Sequence, residues 1–583
     1  MACIFKQLWR VNFQVKRYNP VRMTKLLNCN ITDAEEEWNK TKQAPKYFNF
    51  FQDVIQCWES KEKKFERKEM PAFWYVDEKN NELKWSFQDL VLQTKKMAQV
   101  LKSSGLERND KMIVILPKIP EWWLIILASF HIGIVSSPGT TQLRSKDILY
   151  RINSIQAKCI VADWETSERV DQIAKNCPSL TCKILCSEKR KKEGWIDLKS
   201  VHKYSSPLNE IVKTKINDTM IIYFTSGSTG YPKPVRHAHE NSFAACINRR
   251  YLSNIQPNSL TWNLSDTGWA KICWGSLFFP WSGGSGIFIH HSTKFDPIES
   301  LKILQDYPIT NFCAPATAFK LLIKEDLKKY TFPYLKYCIS AGESVTKEAI
   351  TTWRERTGLT IHEFYGQSET SLLCSTYHCK IQKPGSIGLP GSVQLTIVDE
   401  KCGEVKPFEE GEIAVKLKPN YPLGLFKEYM NSPSKTEELF KEDYYLTGDR
   451  GYRDDDGYFW FVGRKDDIIS SSGYRIGPHE VESALYEHPA VKETAVVASP
   501  DSLRGEVVKA FIILTEKYRH SNKEELIKEL QEHTKNITSP YKYPRKIEFV
   551  ETFPRTISGK IQRFKLREWE REASKLNVSK EKV

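Results

Sequence analysis

The chain predicts an α/β fold: a large multi-subdomain N-terminal region with mostly parallel sheets, joined by a hinge to a small α+β C-terminal domain. Three observations lead there. Strand-like apolar runs and helical stretches alternate as far as about residue 390, the pattern of parallel βα units. From about Ile387 the pattern changes to short β segments separated by turns. A length of 583 residues also exceeds what one hydrophobic core organises, so two or more domains are expected.

Taken in order, the chain opens on a basic stretch. From Met1 to Thr32 it carries Lys6, Arg10, Lys16, Arg17, Arg22 and Lys25, and the first acid is Asp33. Interleaved with Ile4, Phe5, Leu8, Trp9, Val11 and Phe13, these predict a mitochondrial transit peptide over residues 1–32, although serine is missing. A disordered basic arm is the alternative. Tyr47–Ser60 predicts an amphipathic helix. Phe73–Val76 and Leu83–Trp85 predict two strands around the turn-rich Glu78-Lys-Asn-Asn81. Ser86 with Asp89 resembles a capping box that opens a long helix toward Ser104.

Met112–Leu116, Pro117 and the apolar run Trp122–Val135 predict a β–loop–α unit. The run carries His131 and is too short to span a bilayer, so no transmembrane segment is expected. Gln394–Val398 and Glu412–Lys416 predict strands, and Tyr452–Tyr458 a turn between strands. Gly463-Arg-Lys-Asp466 predicts the hinge. A large domain then covers residues 45–464, and a small mobile one residues 465–575, with Val491–Val497, Lys509–Leu514 and a helix Asn522–Thr534. The charged tail after about Glu570 predicts a frayed helix.

Net charge is +14, and without the six leader cations it falls to +8 with no dominant basic block. Lys189-Arg-Lys-Lys192 sits between Glu188 and Glu193 and reads as a solvated loop with no aromatic-rich signature beside it, so no nucleic-acid partner is expected. The 14 cysteines include no C-x-x-C pair. Cys374, His378 and Cys379 fit no standard zinc spacing, and buried thiols in a reducing compartment are expected. His237 and His239 lack further ligands and read as structural.

The most informative string is Tyr223-Phe-Thr-Ser-Gly-Ser-Thr-Gly-Tyr-Pro-Lys233. Glycines let backbone N–H groups approach a phosphate, and the hydroxyls of Thr225, Ser226, Ser228 and Thr229 add donors. The apolar Met220–Phe224 predicts a buried strand, which puts the loop at a strand end where nucleotides bind. It is not a Walker A loop, because Tyr231 and Pro232 separate Gly230 from Lys233. Alone, the string could still be a surface linker.

Four later segments remove that alternative: Glu363-Phe-Tyr-Gly-Gln-Ser-Glu369, Tyr445-Leu-Thr-Gly-Asp449, Gly463-Arg-Lys-Asp-Asp467 running into Ser472-Gly-Tyr-Arg-Ile476, and Pro554-Arg-Thr-Ile-Ser-Gly-Lys560. In this order the set resembles the adenylate-forming enzymes. Ser265-Asp-Thr-Gly-Trp269, Ser471–Pro478 and Tyr541–Lys546 are most similar to the mitochondrial medium-chain acyl-CoA synthetases.

The resemblance implies a chemistry. A carboxylate cannot acylate a thiol directly because oxide leaves poorly; an acyl-adenylate supplies AMP as the leaving group. ATP, Mg²⁺ and coenzyme A are implied, with a small-molecule carboxylic acid as the other substrate. Thr225, Ser226, Gly227, Ser228, Thr229, Gly230, Tyr231, Pro232 and Lys233 would hold the β- and γ-phosphates. Glu363, Phe364, Tyr365, Gly366, Gln367 and Ser368 would line the nucleotide site, with Gly342-Glu343-Ser344 also around the adenine. Glu369 suits Mg²⁺, a hard cation that takes one or two carboxylates. Ser368 would donate to the α-phosphate and border the substrate. Asp449 can accept from both ribose hydroxyls, with Arg464 nearby. Lys560 would reach the α-phosphate and the attacking carboxylate.

For CoA the match implies Gln142, Ser472, Gly473, Tyr474, Arg475, Arg504, Lys535, Tyr543, Pro544 and Arg545. Trp269 and Ala314-Pro-Ala-Thr317 would wall the acyl pocket, the latter departing from the usual second proline. Ser368 for threonine and Arg555 for lysine are mild departures. Lys560 and the CoA residues Gly473 and Arg475 belong to one small domain, so rotation about Lys465-Asp466 is implied between the two half-reactions. The expected protein is a mitochondrial matrix enzyme, a monomer or small homo-oligomer, that joins a medium-chain fatty acid or small aromatic acid to CoA. An adenylating ligase with another acceptor and a non-catalytic nucleotide- or CoA-binding scaffold are the rival readings.

Overall fold

Parallel strands need crossover helices, and the sequence supplies both in alternation. In the computed structural model they form two large sheets. The structure describes residues 43–580 except 68–69, 189–190, 226–231, 253–254, 293, 378, 380, 382, 472–473, 502–504, 539–541 and 557–558. The leader over residues 1–32 therefore lies outside the described residues.

One sheet of eight strands is built around Lys111–Ile115, Val135–Gly139, Cys159–Ala162 and Thr219–Thr225, all parallel. Lys233–Ala238 returns antiparallel to Thr219–Thr225. The second sheet has 14 strands. Its parallel block runs through Gly286–His290, Leu260–Asn263, Asn311–Ala314, Tyr337–Ala341 and Ile361–Gln367. At Ile361–Gln367 it turns antiparallel and continues without a break through Ser371–Ser375, Ser386–Pro390, Phe459–Arg464, Tyr444–Arg453, Gly411–Lys416 and Leu395–Val398. The change of pattern expected near residue 387 is thus a change of strand direction inside one sheet. The largest core joins helices Phe87–Ser103 and Pro120–Ile132 to the back of the eight-stranded sheet, with Trp122, Trp123 and Phe130 fully buried.

Local signals hold where they are short-range. Ser86 and Asp89 bond each other's backbone as a capping box on Phe87–Ser103. Phe73–Val76 and Glu82–Trp85 pair as an antiparallel hairpin. The helix expected from Tyr47 begins instead at Phe50, as a π-helical turn through Ile55 that continues into Gln56–Lys63. Asn49 fixes that start: its side chain accepts from the N–H groups of Phe51 and Gln52 and donates to the Phe130 and Thr214 oxygens.

After Arg464 a 3₁₀ turn, Lys465–Asp467, leads into a five-stranded sheet built on the long hairpin Val491–Asp501 and Gly505–Leu514. Helix Lys523–Ile537 packs on it. The final helix, Arg563–Lys580, does not fray at Glu570: that carboxylate is buried and accepts from Ser499 and Lys509. Among the described residues no helix is long and apolar enough to cross a membrane, and no cluster of three metal-ligating side chains forms.

Candidate active site

Parallel strands present their C-terminal ends on one rim, and the loops leaving it build the site. Thr219–Thr225 ends there with Thr225 paired to Lys233 across the antiparallel return. Ser226, Gly227, Ser228, Thr229, Gly230 and Tyr231, between them, lie outside the described residues. Lys233 stands 4.9 Å above the Tyr429 ring, and burial lowers its ammonium pKa.

The Ile361–Gln367 strand turns back at Ser368 and Glu369 into Ser371–Ser375. Gly366 has to be glycine, because a Cβ there would sit 1.8 Å from the Ser371 carbonyl oxygen. Three groups from elsewhere fix the tip. His237 Nε2–H donates to the Ser368 carbonyl at 2.6 Å, the Phe426 N–H donates to the Glu369 carbonyl at 2.7 Å, and the Tyr429 hydroxyl donates to Glu369 Oε1 at 2.7 Å. Enclosure raises the Glu369 pKa, against the Tyr429 hydrogen bond. His237 and His239 are both buried, and desolvation drops each to about 4, so both are neutral as expected of structural histidines.

Asp449 is the most tightly held of the expected groups. It lies opposite Arg464 in the pairing of Tyr444–Arg453 with Phe459–Arg464. Oδ1 accepts from Arg464 at 2.8 Å, and Oδ2 accepts from the Tyr365 hydroxyl at 2.6 Å and from Gln367 Nε2 at 2.7 Å. Three residues expected at the nucleotide are therefore Asp449's own scaffold. Glu412, on the neighbouring Gly411–Lys416 strand, accepts the Gly448 N–H at 3.0 Å and the Lys465 ammonium at 3.0 Å, which ties the turn before Asp449 to the 3₁₀ turn.

The loop after Tyr337–Ala341 faces the same cleft. Gly342 adopts φ +89°, open to glycine alone at little cost. Glu363 Oε1 accepts the Val345 N–H at 2.9 Å, and burial pushes its pKa up to about 7. Phe364, on the same strand, packs in a small cluster with Cys313 and Ile339. Lys560 enters from the small region on a tight turn, in which the Thr556 N–H bonds the Lys560 carbonyl at 2.8 Å. Its Nζ donates to the Gly342 carbonyl at 3.1 Å. Solvent still reaches it, yet the cleft walls crowd it and desolvation lowers its ammonium pKa. Lys271 donates to the neighbouring Ala341 carbonyl at 2.9 Å, so two ammonium groups border this loop.

Trp269 caps the Ala270–Cys273 helix that carries Lys271. The preceding Gly268 touches backbone: a Cβ would fall 2.1 Å from the Thr140 nitrogen. This contact brings the segment expected at the acyl pocket against Thr140-Thr141-Gln142. Gln142 lines a cavity of about 580 Å³ with Thr141, Arg144, Glu165 and Arg169 from the large region and Arg555 and Thr556 from the small one. Lys535 and Arg545 flank the Tyr543 ring at 4.5 and 4.9 Å, and the Pro544 carbonyl accepts from Gln531. No hydrogen bond or ion pair among the described residues joins this cluster to Gln142. Ser472, Gly473 and Arg504 lie outside the described residues, and Tyr474 and Arg475 are described only as strand backbone.

Sequence reading missed His237, Phe426 and Tyr429 as the supports of Glu369, and Lys271 beside Lys560. No motif spacing could give them, because each bond spans from about 60 to about 130 residues. Of the twelve described cysteines ten are buried, and all twelve are free thiols.

The pattern for AMP-binding enzymes matches residues 61–430, and that for the AMP-binding enzyme C-terminal domain matches residues 480–560. The mouse protein named acyl-coenzyme A synthetase ACSM3, mitochondrial, is 48% identical over 90% of this chain and 92% of its own length. The human acyl-coenzyme A synthetase ACSM4, mitochondrial, is 47% identical over 93% of each. Among solved structures, an anthranilate CoA ligase in complex with anthranoyl-AMP superposes with a TM-score of 0.81 at 26% identity, covering 91% of this chain and 98% of that one. The chain belongs to the AMP-binding enzymes and, within them, to the medium-chain acyl-CoA synthetase family.

Proposed function

We propose that the protein is an ATP-dependent acid–CoA ligase that forms an acyl-adenylate, releases pyrophosphate, and then passes the acyl group to the thiol of CoA with release of AMP. The observation that carries this reading is the arrival of Lys560 at the Gly342 carbonyl, in a cleft that already holds Asp449 and Glu369.

Roles follow from chemistry. Asp449 accepts the ribose hydroxyls, its orientation locked by Tyr365, Gln367 and Arg464. The Ser368 hydroxyl and the Lys560 ammonium meet the α-phosphate and the attacking carboxylate. Charge shifts there in the transition state, and one such preorganised donor contributes about 10²–10³ in rate. Glu369 would hold Mg²⁺. Its carboxylate is enclosed, steadied on one oxygen by a neutral phenol, and placed in no ion pair among the described residues, the donor a hard cation takes. When bound, the ion would neutralise phosphate charge.

The acid is a medium-chain fatty acid or small aromatic acid, received beside Trp269 and the Ala314–Thr317 strand end. CoA uses Gln142, Lys535, Tyr543, Pro544 and Arg545 together with the 472–475 segment and Arg504. The relatives named above are mitochondrial, and the basic leader supports import, here to the matrix. The test is CoA-dependent AMP release over short-, medium- and long-chain fatty acids and substituted benzoates. The reading expects activity confined to the middle of the chain-length series or to the aromatic acids. AMP release with none of them, in folded enzyme, would refute it.

A further inference from the structure

Lys320 lies in the last turn of the Ala316–Leu322 helix, which begins within the segment assigned to the acyl pocket. Its ammonium leaves the large region and sits 4.2 Å from the centre of the Tyr486 ring in the small one. Neither partner is free to wander. Phe319 beside it is fully buried, with its ring 5.4 Å from Trp353, and the Tyr486 hydroxyl accepts the Thr494 N–H at 3.4 Å.

Tyr486 ends the Pro478–Tyr486 helix, one turn beyond Glu482. The Glu482 carboxylate takes Arg563 Nη2 on both oxygens at 2.7 Å and also accepts the Val496 N–H at 2.8 Å. Arg563 opens the last helix, three residues after Lys560. One cross-region contact, one helical turn and one half-buried ion pair thus connect Lys320 to the turn that carries Lys560. Burial acts against the Lys320 charge, while Glu343 on the large side and Glu482 and Glu493 on the small side favour it.

We infer that Lys320 is a positioning residue for the adenylation step: it docks the small region in the pose that puts Lys560 at Gly342, acting through Tyr486 rather than on the substrates. The inference rests on the ligase reading. A contact present in only one of two alternating poses shifts their ratio by its whole free energy. For a cation over a tyrosine ring this is about 3- to 30-fold.

The experiment compares the two partial reactions, acid-dependent pyrophosphate exchange and thioester formation from supplied acyl-adenylate and CoA. Lys320→Met should lower exchange by about 3- to 30-fold and leave thioester formation at the wild-type rate or above it, which also shows that the variant is folded. Lys320→Arg, which keeps a cation over the ring, should restore exchange. Lys320→Met in a Tyr486→Leu background should add nothing further. Unchanged exchange in Lys320→Met, an equal fall in both partial reactions, or failure of arginine to restore would each overturn the inference while leaving the ligase reading intact. Wild-type enzyme lacking acid-dependent exchange would overturn both.

Discussion

Asp449 and Lys560 stand in the same cleft and are held in opposite ways. Asp449 is buried and takes three hydrogen bonds of 2.6 to 2.8 Å, all from the sheet that carries it. Lys560 is solvent-accessible and makes one bond of 3.1 Å to a carbonyl of the other region. A group fixed by its own sheet is part of the site at all times. A group delivered on a separate body is part of it only while that body is docked. On the proposed reading, nucleotide binding is therefore preorganised whereas adenylation is assembled.

The largest effect should come from the delivered group. Lys560→Ala is expected to lose acid-dependent pyrophosphate exchange by about 10²–10³, with ATP affinity little changed and thioester formation from supplied acyl-adenylate retained. Rapid-quench assays of each partial reaction check this. Equal loss of both would make Lys560 part of the permanent site.

Next in size is the fixed group. Asp449→Ala should weaken ATP binding by about 1–3 kcal/mol, the usual cost of losing charge-assisted hydrogen bonds, and a 2′-deoxy analogue should be less sensitive to the change. Calorimetry returning wild-type ATP affinity in folded protein would refute the ribose assignment.

These two residues also mark how far the sequence could be read. Both were legible because each sits in a string whose neighbours are themselves required: Gly448 with Asp449, Gly559 with Lys560. Their supports were not. Tyr429 reaches Glu369 across 60 residues and His237 reaches Ser368 across 131, pairings made only when the Lys233–Ala238 strand and the Glu428–Tyr429 strand meet in one sheet. In the fold, hairpins and caps such as Phe73–Trp85 and Ser86–Asp89 are decided within a few residues and were legible. The unbroken passage from parallel to antiparallel strands in one 14-stranded sheet depends on register between distant segments, which periodicity does not carry. Lys465–Asp467 reads as loop in sequence but forms a 3₁₀ turn, pinned by Lys465 to Glu412 and by Asp467 to Arg567.

A smaller effect concerns the fixed side and pH. His237 and His239 titrate near 4 in the fold, below the ordinary 6.5, because burial disfavours their charge. Above pH 6.5 both the folded and unfolded chains hold them neutral, and this stability is complete. As pH falls from 6.5 toward 4 the unfolded chain takes up protons that the fold refuses, so stability falls. Between about pH 7 and pH 5 each histidine should cost about 2 kcal/mol. Denaturant unfolding of wild type and His239→Phe at both pH values checks this: the variant should lose less on acidification, and identical pH slopes would refute it.

In the proposed reaction one small region serves two half-reactions from two poses, turning at the Lys465–Asp467 segment. Asp466→Pro tests it most directly, because proline fixes one φ in that turn and removes its N–H. In the docked pose Lys560 is already at Gly342, so the variant should keep acid-dependent pyrophosphate exchange and lose thioester formation, the mirror image of Lys560→Ala. A folded Asp466→Pro enzyme that carries out both partial reactions at wild-type rates, or loses the two in equal proportion, would contradict the account.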